Sequence, residues 1–139
     1  PHDVRYPELP DFDDEERTRQ ELALLGYAIG RHPVDVLWGE QRRAVPGAVP
    51  CGRVDDCVGR SIAIHGWLVA WRPHRTENGE AMAFATIEDG TGIVETTLFP
   101  RVFQQCGAEF AGRGPYVVRG TVEERLGGVG LRVVTARRA

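Results

Sequence analysis

The side chains that could do chemistry are scattered along this chain rather than grouped. Cysteines stand at Cys51, Cys57 and Cys106. Five residues separate the first two, which is not a usual zinc spacing, and the three make no disulfide framework. They read as buried, structural thiols. His32 has no second His, Cys or paired carboxylate at metal spacing and reads as a packing or capping residue. His65 is a strand residue beside a glycine and is assigned no chemistry. Asp55 and Asp56 look like an acid pair, but they lie in a Pro/Gly-rich stretch with no third carboxylate near in sequence. Metal-assisted hydrolysis needs carboxylates held in a fixed constellation, so these read as solvated loop acids. No catalytic residue, metal site or cofactor site is assigned, and an enzyme such as a nuclease finds no support. What remains is recognition chemistry by arginine and aromatic rings.

The 139 residues are 27% charged and 42% hydrophobic, near globular averages, and fit one domain plus an appendage. No apolar run approaches a membrane span and no signal-peptide pattern opens the chain, so a soluble, cytoplasmic protein is expected, with no membrane and no small-molecule substrate among its partners. Pro1 in first position suggests an internal segment. The net charge is −3, unevenly spread: residues 1–59 carry 12 acids and 7 arginines, residues 60–139 carry 8 acids and 10 arginines. A mildly basic second half is compatible with nucleic acid but is no strong electrostatic footprint. Every basic residue is Arg. Guanidinium groups suit phosphate contact and base stacking; codon bias in a GC-rich genome explains the same usage more simply.

These side chains must be positioned by the elements around them. Residues 1–43 read as a helical lead-in, with one helix from Asp11, capped and acidic in its first turns, to Leu25 and a second from Pro33 to about Arg43. Residues 44–60 are rich in Pro and Gly and read as a linker. Residues 61–139 form the main domain. Ser61–Trp71 is a long strand, apolar on both faces, that serves two halves of a sheet, with Gly66 as a bend or bulge. Residues 72–80 are a polar loop. Residues 81–88 and 93–99 form a hairpin around Asp89-Gly90-Thr91-Gly92, whose glycines can take positive φ cheaply. A helix follows from Pro100 to Phe110, with Val102, Phe103, Cys106 and Phe110 on its core face. Strands at 116–123 and 129–135 close the chain. Three strands, a helix and two strands are the order of an OB-fold, a mainly β, five-stranded Greek-key barrel. The loops with which such barrels grip oligonucleotides fall at 72–80 and 125–128.

Here the chain resembles a family. Met82-Ala83-Phe84, the run Thr86 to Gly92, Leu98-Phe99-Pro100 and Val102-Phe103 are similar to the OB-fold region near the C-terminal end of the bacterial DNA polymerase III alpha subunit, including its error-prone relatives. Upstream, residues 21–37 (ELALLGYAIGRHPVDVL) resemble the segment preceding that domain, with Gly30-Arg31 where the family has Ser-Gly. The resemblance covers residues 15–135. It implies a single-stranded DNA-binding accessory domain that positions template near a catalytic region not present in this chain, whose carboxylates lie in a separate palm domain. If Ala139 is a natural end, it tilts toward the error-prone, translesion branch. The partners implied are single-stranded DNA and other polymerase or mutasome subunits.

An OB-fold binds single strands with a basic groove and aromatic faces. If Ala83, Ala85 and Ile87 point inward, Met82, Phe84 and Thr86 point outward, and Phe84 becomes the candidate stacking residue. Arg72, Arg75 and Arg125 are the loop candidates for phosphate contact, with Trp71 flanking the groove. Glu88 and Asp89 near this surface oppose phosphate. The competing reading is a protein-interaction module that docks polymerase or mutasome subunits without touching DNA, favoured by the near-neutral charge.

Overall fold

Strand β1 (Ser61–Arg75) is long because it belongs to two ladders in turn. Its first half, Ser61 to Gly66, pairs antiparallel with Thr121 to Tyr116, and its second half, Trp67 to Arg75, pairs with Glu88 to Ala81. The exchange of partners happens at Gly66, where a Cβ would lie 2.5 Å from the Glu88 carbonyl oxygen, so only glycine lets the strands cross this closely. This is the bend that apolar residues on both faces imply. A bulge then follows at Val69, between Leu68 and Ala70, and one extra residue reverses which side chains face inward. Trp71, opposite the buried Ala85, therefore packs against the core.

The structure, a computed structural model, describes residues 44–125 and 127–139, with Arg19 and His32 from the segment before them. The expected helices at 11–25 and 33–43 otherwise lie outside the described residues. β2 (Ala81–Asp89) and β3 (Gly92–Leu98) form the hairpin. Helix α1 (Pro100–Cys106) follows, then a single 3₁₀ turn, Gly107–Glu109. The α-helix is shorter than the expected 100–110. β4 (Tyr116–Arg125) and β5 (Gly128–Arg138) pair antiparallel, and β3 pairs parallel with β5. The closed order β1-β2-β3-β5-β4, with the helix between β3 and β4, is the OB-fold.

Inward residues alternate as the pleat requires. Ala83, Ala85 and Ile87 of β2 and Thr96 and Leu98 of β3 are fully buried, and Val94 nearly so. Thr96 donates its hydroxyl to the Ala85 carbonyl at 2.8 Å, so this buried polar group is satisfied. At one end of the barrel, Trp71 stacks on Phe103 and Phe110, and Phe110 on Tyr116 at 4.8 Å between centroids.

The other end is closed by residues expected to be linker. Cys51–Cys57 is a 3₁₀ segment that buries Cys51, Val54 and Cys57 in the same core. The residues leading into it are hydrogen-bonded to β1: the Val49 N–H donates to the Ala63 carbonyl at 2.8 Å, and the Ala63 N–H donates to the Gly47 carbonyl at 3.0 Å. The packed unit thus begins before Ser61. The hairpin turn receives this cap. Asp89 is buried, and its Oδ2 accepts the Cys51 N–H at 3.0 Å while Oδ1 accepts the Thr91 N–H at 2.8 Å. Thr91 Oγ1 donates to Asp89 Oδ1 and accepts from the Gly52 N–H at 2.9 Å. Neither Gly90 nor Gly92 takes a positive φ. Gly92 is needed for proximity instead, since a Cβ there would lie 3.0 Å from the Gly52 Cα.

Candidate nucleic-acid interface

Cross-strand register sets one continuous outward row. Arg72 on β1 faces Phe84 on β2, Phe84 faces Thr97 on β3, and Thr97 faces Arg132 on β5. The neighbouring row carries acids: Thr86 faces Glu95, and Gly130 faces Glu123. Between and beyond these rows lies a groove of about 450 Å³, lined by Phe84, Glu95, Thr97, Phe99, Glu123, Arg125 and Arg132 and by the start of β5 from Gly128 to Leu131. It crosses the β2-β3-β5 face beside the β4–β5 loop, where OB-folds hold oligonucleotides.

Each ring in the groove is approached by guanidinium groups. Arg72 Cζ is 5.8 Å from the Phe84 centroid. Arg125 and Arg132 lie 4.9 and 5.7 Å from the Phe99 centroid. Each arginine is also paired with a groove acid. Arg72 donates to Glu95, whose other oxygen accepts from the Thr86 hydroxyl. Glu123 takes Arg125 at 3.0 Å and Arg132 at 3.3 Å. The Arg72–Glu95 pair is 59% and 51% exposed, so water screens it and it contributes little to stability, about 0–1 kcal/mol. Such pairs can exchange a carboxylate for a phosphate at small cost.

The structure brings Arg72, Phe84 and Arg125 of the expected site residues to one surface. Arg72 and Arg75 are strand residues, because β1 runs on to Arg75; Pro73 is accommodated where β1 has a sheet neighbour on one side only. Arg75 is exposed beside the β1–β2 loop and donates to the Gly79 carbonyl at 2.7 Å, apart from the groove. Trp71 lies among Phe103 and Phe110, on the core side. The acids that line the groove are Glu95 and Glu123 rather than Glu88 and Asp89. Glu88 pairs with His32 Nε2 at 2.6 Å, and Asp89 is buried beneath the 3₁₀ cap. Phe99 and Arg132 join the groove without having been singled out in the sequence. Phe99 follows the last residue of β3 and caps α1 just before Pro100, with its side chain half-buried at the groove edge. The signal for Arg132 is its place on β5 one strand from Thr97, which needs the parallel β3–β5 pairing to be known.

Residues 62–136 match the tRNA anti-codon family, described as an OB-fold nucleic acid binding domain. The chain belongs to that family. This OB-fold domain is also 30% identical over 122 residues to DNA polymerase III subunit alpha of Treponema pallidum, covering 85% of this chain and 10% of that protein. It is 30% identical over 132 residues to the error-prone DNA polymerase of Symbiobacterium thermophilum, covering 91% of this chain and 12% of that one. The chain therefore spans about a tenth of the length of the curated relatives it matches. Among solved structures, OBody AM1L10 bound to hen egg-white lysozyme shares the fold, with a TM-score of 0.52 and 18% identity over 65% of this chain and 88% of that one.

Proposed function

We propose that this OB-fold domain binds single-stranded DNA within a polymerase of the III alpha type, replicative or error-prone, and holds template beside a catalytic region outside these 139 residues. A cytoplasmic location goes with that role. The observation that carries the reading is the groove itself: an outward phenylalanine in line with arginines on both sides, on the face that OB-folds use. Phe84 stacks a base. Arg72 and Arg125 contact phosphates, Arg75 meets the strand as it leaves over the β1–β2 loop, and Trp71 supports β1 from the core side. Stacking is tolerant of sequence because every base has a π-face, so recognition is sequence-indifferent.

A second reading keeps the same groove as a docking site for other polymerase or mutasome subunits. It is favoured by Glu95 and Glu123, which leave the groove close to neutral. Titration of fluorescent oligo-dT separates the two. Phe84→Ala is expected to weaken binding by about 5- to 150-fold, the range for one stacked base. Arg72→Ala with Arg75→Ala is expected to weaken it further and flatten its salt dependence. Absence of binding at low salt, or binding indifferent to all three substitutions, defeats the first reading, and capture of polymerase subunits by the wild-type chain then supports the second.

A further inference from the structure

We propose that Phe99, roofed by Arg125 and Arg132, is a second nucleotide subsite, and that Glu123 occupies its phosphate position until a strand displaces it. The proposal rests on the single-strand reading of the groove and extends it to a ligand of at least two consecutive nucleotides, one base on each phenylalanine.

Three observations carry it. First, the four described phenylalanines divide by role. Phe103 and Phe110 pack against the core, whereas Phe84 and Phe99 stay out of it and line the groove. Second, Phe99 is the ring with two guanidinium groups over it, at 4.9 and 5.7 Å, while Phe84 has one at 5.8 Å. A base stacking on Phe99 must therefore move a guanidinium off the ring face, and the displaced planar cations remain at hand to flank the base and its phosphate. Third, Glu123 engages both cations at once, one oxygen to each: Oε2 to Arg125 at 3.0 Å and Oε1 to Arg132 at 3.3 Å. Two acceptor oxygens of one anion, divided between two arginines, are what the non-bridging oxygens of a phosphodiester would present. Beside Phe84, Glu95 holds a single arginine, Arg72, and accepts from the Thr86 hydroxyl with its other oxygen. In the free groove two carboxylates thus offset most of the charge of three arginines. A bound strand must turn Glu123 outward, and the displaced charge stays near enough to oppose the incoming phosphate.

The test titrates the full chain with fluorescent oligo-dT at two salt concentrations, comparing wild type with Glu123→Gln, Phe99→Leu and Phe84→Ala. Glutamine and leucine keep side-chain size, and thermal unfolding checks each variant. Glu123→Gln is expected to tighten binding about threefold or more and to steepen the plot of log affinity against log salt by about 0.7 for each further phosphate neutralised. Phe99→Leu is expected to weaken binding by about fivefold or more. If Phe84→Ala weakens binding while either of the other two matches wild type, the second subsite is overturned and the groove reading stands. Binding by none of the four proteins overturns both.

Discussion

One carboxylate, that of Asp89, ties a β-turn to a distant segment by accepting from Cys51 on one oxygen and from Thr91 and Gly92 on the other. At the opposite end of the barrel a single hydroxyl does comparable work. Tyr116 is fully buried in its stack, and its single hydroxyl proton is shared between the Ala111 and Gly112 carbonyls, each 2.8 Å from the oxygen. Burial favours the neutral phenol and pushes its pKa up, the Arg138 charge opposes this, and Glu109 adds to it. The folded protein therefore holds this proton more tightly than the unfolded chain does. That stabilisation is complete below the ordinary tyrosine value of about 10 and is lost as pH rises beyond it. Urea midpoints measured from about pH 8 to 11 should fall more steeply in wild type than in Tyr116→Phe. The variant should start lower by about 1 kcal/mol for the lost hydrogen bonds. Equal slopes would mean that Tyr116 does not titrate with folding.

At the scale of elements, the barrel needs a cap at both ends, and they come from different parts of the chain. Helix α1 and its 3₁₀ turn follow β3, whereas Cys51–Cys57 precedes β1 and seats on the turn at the start of β3. The fit of this second cap is close. A Cβ on Gly52 would lie 2.5 Å from the Thr91 carbonyl oxygen, a backbone atom that cannot step aside. Gly52→Ala should cost about 1–3 kcal/mol, read as a lower denaturant midpoint with unchanged slope. An unchanged midpoint would mean that the cap moves freely on its turn. The single inserted residue at Val69 is the other decision made at this scale. It turns Trp71 inward to Phe103 and Phe110 and leaves Arg72 outward beside Phe84.

For the molecule as a whole, charge is nearly balanced where function is proposed. The chain carries −3 overall, yet three arginines converge on one groove with two glutamates among them. A groove with three phosphate-contacting arginines gives a salt slope no steeper than about −2 for single strands, near 0.7 per contact. Affinity for oligo-dT should therefore fall about tenfold to twentyfold between roughly 50 and 200 mM salt. A much steeper fall would place further arginines, such as Arg101, on the path of the strand.

The amino-acid sequence by itself determined the OB-fold. Its strand-helix-strand order is set by turn residues and period-two alternation, which are local properties and which place Ala83, Ala85 and Ile87 on one face and Phe84 on the other; packing decided which face is inward. It also carried the likeness to polymerase III alpha in the hairpin Met82 to Pro100. Tertiary structure decided the rest, because it depends on which residues meet across long separations. Residues 44–60 read as linker since proline and glycine mark breaks in local structure, but three of their side chains complete the core. Asp89 reads as a turn acid near DNA, but it anchors the cap 38 residues upstream. Arg132 and Phe99 have no local signature of a site. They become one only when β5 pairs parallel with β3 and the barrel closes around the groove.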